Sequence, residues 1–195
     1  MALVSTIKMT ARQYLMLGED PPGVRLELVD GQIAVHPGQT PEHSYVGIHL
    51  SSLLSEDVDR NGGELFLGLD VVLGEYDVRR PDLIYFRPER AHLIGAEEPV
   101  CDSPDLCVEI ISSTSSRIDR TDKLVQYAEA AVPYYWIVDP KAQSFDAFEN
   151  RRGAYRPVGN GTGSDVVRFP PFERLELALA SLWFRRRVRT TRLKR

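Results

Sequence analysis

Glu109 stands inside Leu106-Cys107-Val108-Glu109-Ile110-Ile111, a short apolar run that predicts a strand buried on both faces. A carboxylate there is costly unless a cation, a metal or hydrogen bonds compensate it. Upstream, Arg80-Pro81-Asp82 leads into Leu83-Ile84-Tyr85-Phe86, a second apolar strand with an acid at its mouth. Lys123 follows on a predicted helix, where Asp119, Lys123 and Tyr127 are each four apart and share one face. Two carboxylates on successive core strands with a nearby lysine suit metal-assisted phosphodiester hydrolysis. That reaction needs charge neutralisation on the phosphoryl oxygens and a deprotonated water, and a divalent metal provides both. Asp82 and Glu109 would hold Mg²⁺ or Mn²⁺ if their strands pair, with the Ile110 carbonyl as a third oxygen. Lys123 would orient water or offset developing charge.

Other readings stay open at this level. Glu109 with Lys123 could form a buried structural ion pair, and Asp82 could serve turn chemistry after proline. Glu27 lies in Val24-Arg25-Leu26-Glu27-Leu28-Val29, whose alternation places it on the wet face of an amphipathic strand.

The elements that must position these residues are legible in outline. Thr10-Ala11-Arg12-Gln13 predicts a capping box opening a first helix. Asp30-Gly31 predicts a type I′ hairpin between strands at 24–29 and 32–35. A second helix is expected from Pro41 to Asp59, with Thr40 as cap and Val46, Leu50, Leu53, Leu54 and Val58 as its core stripe. Strands follow near 64–67, 69–73, 83–86, 106–111 and 134–138, with a helix around Asp119 to Ala130 between the last two. A terminal hairpin is expected at 145–148 and 155–158, and a closing helix from Leu175 to Phe184. This order predicts a mixed α/β sandwich, not a doubly wound sheet.

The 195 residues suffice for one substantial core, read as a single domain over 1–184 with a basic tail at 185–195. That tail holds seven Lys/Arg and no acid, so the net charge of −4 leaves −11 on residues 1–184. The tail can contact phosphates or remain solvated. No apolar stretch approaches a membrane span, no signal peptide is evident, and Cys101 and Cys107 do not form a disulfide framework. A cytoplasmic location is expected.

From Thr10 to about Ala180 the chain resembles the Uma-two family of bacterial endonuclease-like proteins, within the PD-(D/E)xK superfamily. The resemblance rests on Leu26-Glu27-Leu28-Val29-Asp30-Gly31, Pro41-Glu42-His43, Pro81-Asp82-Leu83, Val108-Glu109-Ile110, Asp119 with Lys123 and Tyr127, and Val132-Pro133 leading to Tyr135-Trp136-Ile137-Val138-Asp139-Pro140. It implies a restriction-endonuclease-like fold, DNA as substrate, and Asp82 and Glu109 as metal-binding acids. It also implies that the superfamily lysine, absent at Ile111, has moved to Lys123. Glu27 matches the family's N-terminal acid, and His43 matches as well. The chain departs from the family at Ser113, Ala131 and Tyr134, and Ala131 puts the helix-to-strand turn in question, since glycine there would relieve a positive φ. By fold analogy a homodimer is expected. The alternative function is a catalytically silent nuclease-fold module that binds nucleic acid or a protein partner.

Overall fold

A computed structural model describes residues 8–95, 99–112 and 120–184. The first helix, α1 (Ala11–Leu15), opens with the predicted capping box: the Gln13 N–H donates to Thr10 Oγ1, and the Thr10 N–H donates to Gln13 Oε1. Strands β1 (Val24–Val29) and β2 (Gln32–Pro37) form the predicted hairpin. Both turn residues take positive φ, +49° at Asp30 and +76° at Gly31, as a type I′ turn demands. The hairpin joins β5 (Asp77–Arg79) and β4 (Val71–Gly74) in a four-stranded sheet ordered β2-β1-β5-β4. Helix α1 covers it, burying Ala11 and Tyr14 against Leu28 and Val78. Strand β5 escaped the sequence reading because Asp77-Val78-Arg79 offers one apolar residue and no periodicity.

The larger sheet holds β3 (Glu64–Leu67), β6 (Leu83–Phe86), β7 (Leu106–Ile110), β8 (Tyr134–Asp139), β9 (Ser144–Asn150) and β10 (Tyr155–Thr162), ordered β10-β9-β8-β7-β6-β3. Among the described strands of this sheet only β7 and β8 pair in parallel, and helix α3 (Asp122–Glu129) lies in the crossover between them. Helix α2 (Pro41–Asn61), capped by Thr40 and stopped at Gly62, lays Val46, Leu50, Leu54 and Val58 on the other face. Period-2 alternation in β7 divides its side chains between these helices. Leu106, Val108 and Ile110 join the α2 core, whereas Cys107 joins the core beneath α3 with Tyr127 and Ala128. Glu109 therefore falls on the α3 face. Cys107 is buried and Cys101 exposed, both as free thiols.

The closing helix expected from Leu175 to Phe184 does not form. Leu177–Ala178 makes β12, paired with β11 (Val166–Val167), and one 3-10 turn follows at Leu179–Ser181. Leu177, Leu179, Leu182 and Trp183 all pack with Phe169 and Phe172 under the large sheet. Tertiary packing of an extended segment outweighs helical propensity there.

Ala131 terminates α3 at φ +59° and is exposed. Its Cβ costs about 1 kcal/mol or more in this region, part of which glycine would lose again through unfolded-state entropy. Ala131→Gly is expected to stabilise by about 0.5 kcal/mol, read as a rise of roughly 1–2 °C in the melting midpoint.

Candidate active site

Asp82 follows the link from β5 to β6, and its N–H donates to the Val108 carbonyl at 3.0 Å. That bond continues the antiparallel register in which Leu83 faces Val108, and it holds Asp82 against β7. Its Oδ2 accepts the Ile110 N–H at 2.7 Å, and its Oδ1 accepts from Arg25 Nη1 at 2.8 Å. His43 Nε2, from the first turn of α2, lies 3.0 Å from Oδ2. Burial works against the ionised carboxylate, yet His43, Arg25 and the Ile110 N–H outweigh it and hold the Asp82 pKa below its ordinary value.

Glu27 is not on a wet face. It is wholly enclosed, because β5 and α3 cover the side of β1 that alternation alone had left open. Leu28 pairs with Val78, and one residue along this antiparallel register Arg79 meets Glu27. Arg79 Nη1 donates to Glu27 Oε2 at 2.7 Å, the Arg80 N–H donates to Oε1 at 3.2 Å, and Lys123 Nζ lies 3.3 Å from Oε1. His36 Nε2 is 3.2 Å from Oε2 but is not aligned to donate. Burial again opposes ionisation, and the charges of Lys123 and Arg79 reverse the balance, keeping Glu27 well below the usual carboxylate range.

Glu109 completes the group. Its Oε1 lies 2.8 Å from Lys123 Nζ and accepts from the Tyr127 hydroxyl at 2.7 Å. Burial, then the Glu109 charge, pushes the Tyr127 phenol well above its normal pKa, so it remains the donor. Lys123 and Tyr127 share one face of α3, as their spacing predicts; Asp119 lies outside the described residues. Relative exposure is 0% for Glu27, 1% for Glu109, 1% for Lys123 and 4% for Asp82. Three buried carboxylates are met by Arg25, Arg79 and Lys123, which balance them in charge and make the burial tolerable.

A cleft of about 30 Å³ opens onto this cluster, with Arg25, His36, His43, Glu109 and Ser112 among its walls. Of the four side chains expected to do chemistry, Glu27, Glu109 and Lys123 meet directly, whereas Asp82 lies on the neighbouring strand link and is engaged by Arg25, His43 and the Ile110 N–H. Sequence reasoning missed three neighbours. Arg25 carried a signal, since it lies two residues from Glu27 and shares its face of β1. His36 faces Arg25 across the hairpin, a register the Asp-Gly turn already implied. Arg79 carried none, because it sits on the unforeseen β5; its Nε donates to Gln126 of α3 at 2.7 Å. Tyr135 and Trp136 are fully buried and serve packing.

A mixed sheet flanked by helices, with buried acids and one buried lysine beside a cleft that Glu109 lines, has the architecture of a nuclease-fold protein. The sequence matches the family described as "Uma2: Putative restriction endonuclease" over residues 11–180, and the chain belongs to that family. It is similar in fold to the crystal structure of "a putative nuclease belonging to DUF820" from Anabaena variabilis ATCC 29413. That match has 21% sequence identity and a TM-score of 0.72, covering 90% of this chain and 97% of the other. No curated protein sequence matches the chain. Among the described residues, no helix is long and apolar enough to cross a membrane.

Proposed function

We propose that this protein is a Mg²⁺- or Mn²⁺-dependent endonuclease that hydrolyses DNA phosphodiester bonds at the Asp82–Glu109–Lys123–Glu27 cluster. One observation carries the reading: two carboxylates from separate strands, Glu27 and Glu109, converge in the interior on a single lysine, and Glu109 opens onto a cleft. Apolar residues of similar volume would serve stability as well or better, so a purely structural role leaves the cluster without a reason.

The donor set fits the metal. Asp82 and Glu109 offer hard carboxylate oxygens, with the Ile110 carbonyl as a third ligand, and Asp82 is held in its ionised form. Among the described residues, no three His, Cys, Asp or Glu side chains converge as a ready-made ligand set. Water and substrate oxygens would complete the shell, the usual arrangement for Mg²⁺. When bound, the metal neutralises phosphoryl charge and lowers the pKa of water. Lys123 fixes the Glu109 carboxylate and supplies positive charge toward the reacting phosphate. Glu27, enclosed behind it, holds the ammonium in place and assists as the third acid. The cleft-facing His43 and Ser112 are set to meet DNA, and two protomers would present two such centres to the two strands of a duplex.

Incubation with supercoiled plasmid and Mn²⁺ is expected to give nicked circles, and chelation should abolish them. A specific observation favours a second reading: both Asp82 oxygens are already engaged by Arg25, His43 and the Ile110 N–H. The chain would then be a catalytically silent module that binds nucleic acid or a protein partner. Plasmid retained equally with and without metal, and never cut, would establish that reading against the first.

A further inference from the structure

Asp82 belongs to the cluster but not to the cleft wall; Arg25 and His43 are among the residues that form that wall in front of it. To reach Asp82, a divalent ion entering from the cleft must pass this wall, which Arg25 and His43 share with Glu109. We propose, building on the nuclease reading above, that Arg25 is a cationic latch: its guanidinium occupies the position at Asp82 that the metal takes, and loading the site requires it to swing away.

Several features of the structure carry this. Arg25 Nη1 holds Asp82 Oδ1 at 2.8 Å, a charge-assisted bond to the oxygen that the Ile110 N–H and His43 leave to it. Burial opposes the charge of the guanidinium, and the charges of Asp82, Glu109 and Glu27 outweigh it. Unlike Arg79, which is locked between Glu27 and Gln126 and almost completely buried, Arg25 retains 19% side-chain exposure and borders open space. It can therefore move into the cleft without breaking the core. His43 Nδ1 is buried and has no hydrogen-bond partner. A polar atom left unsatisfied in this wall marks a surface completed by something else. The latch also accounts for how so acidic a centre stays folded before a metal arrives.

The test is Mn²⁺ binding by titration calorimetry on folded protein, with circular dichroism as the check of fold. Arg25→Met removes the competing cation and is expected to bind Mn²⁺ about tenfold tighter than wild type, the worth of one charge-assisted hydrogen bond. Arg25→Lys keeps the charge but loses the reach of the planar fork, and a gain of about threefold is expected. Asp82→Asn is expected to weaken Mn²⁺ binding by at least about tenfold, and Arg25→Met added to it should give no gain. Unchanged or weaker binding in Arg25→Met, with Asp82→Asn impaired, overturns the latch and leaves the metal site standing. Wild-type affinity in Arg25→Lys beside tighter Arg25→Met also overturns it, since a general field effect would suffice. Undiminished binding in Asp82→Asn overturns the metal assignment itself. Should Arg25→Met fail to fold, Arg25→Lys decides alone.

Discussion

Asp82→Asn is expected to reduce Mn²⁺-dependent plasmid nicking about a thousandfold or more, because charge stabilisation by the metal is worth several kcal/mol to the reaction. The fold should survive. An asparagine is the same size, its carbonyl can still accept the Ile110 N–H, and the Asp82 N–H to Val108 bond belongs to the backbone. What is lost is the charge facing Arg25 and His43, about 2 kcal/mol for a hydrogen bond to an ionised group, partly returned by the relief of burying it. A drop in melting midpoint of roughly 4–8 °C is the corresponding expectation. Near-unchanged circular dichroism with vanished nicking would tie the chemistry to this carboxylate. Nicking retained at the wild-type rate would remove Asp82 from the mechanism.

Lys123→Met should fail in two ways that can be separated. The ammonium bridges Glu109 at 2.8 Å and Glu27 at 3.3 Å in a site closed to solvent. Its removal leaves buried carboxylates short of one positive charge, at a cost of about 3–5 kcal/mol. One carboxylate would be driven to take up a proton, and the melting midpoint should fall by roughly 10 °C. Nicking should fall at least about a hundredfold, the usual loss when one electrostatic stabiliser is removed. Adding Glu27→Gln removes the excess negative charge and is expected to restore much of the stability, since the two residues are in direct contact and their effects are not additive. It should not restore nicking. If the doubly substituted protein is both stable and fully active, Lys123 is a structural counter-ion and nothing more.

The contrast between Glu27 and Glu109 shows how far sequence reasoning reaches. Glu109 announces itself because its neighbours are all apolar, so its burial follows from the strand alone. Glu27 alternates with Leu26 and Leu28, and the same periodicity is compatible with solvent. Only the pairing of β1 with β5 and the placement of α3 close that side. Likewise the Leu175 to Phe184 segment has helical composition, yet its leucines and tryptophan are claimed by the sheet's apolar face, a competitor invisible within the segment. The predicted strand at 69–73 shifts to Val71–Gly74 for the same reason, since its position is set by Val78 and Arg79 across the hairpin.

By itself the sequence determined the local structures whose causes are local. These are the Thr10 capping box, the Asp30-Gly31 turn, helix α2 from its Thr40 cap to its glycine stop, and the buried strand around Glu109. It also determined that Lys123 and Tyr127 share a face, because helical geometry does. The tertiary structure alone decided that Arg79 and Lys123 would divide Glu27 between them, that Arg25 would reach Asp82 across 57 positions of chain, and that a cleft walled by Arg25, His43 and Glu109 would open beside them. The physical reason is range. Caps, turns and periodicities are satisfied within a few residues, whereas a buried charge is satisfied only by whichever opposite charge the packing of distant elements delivers to it.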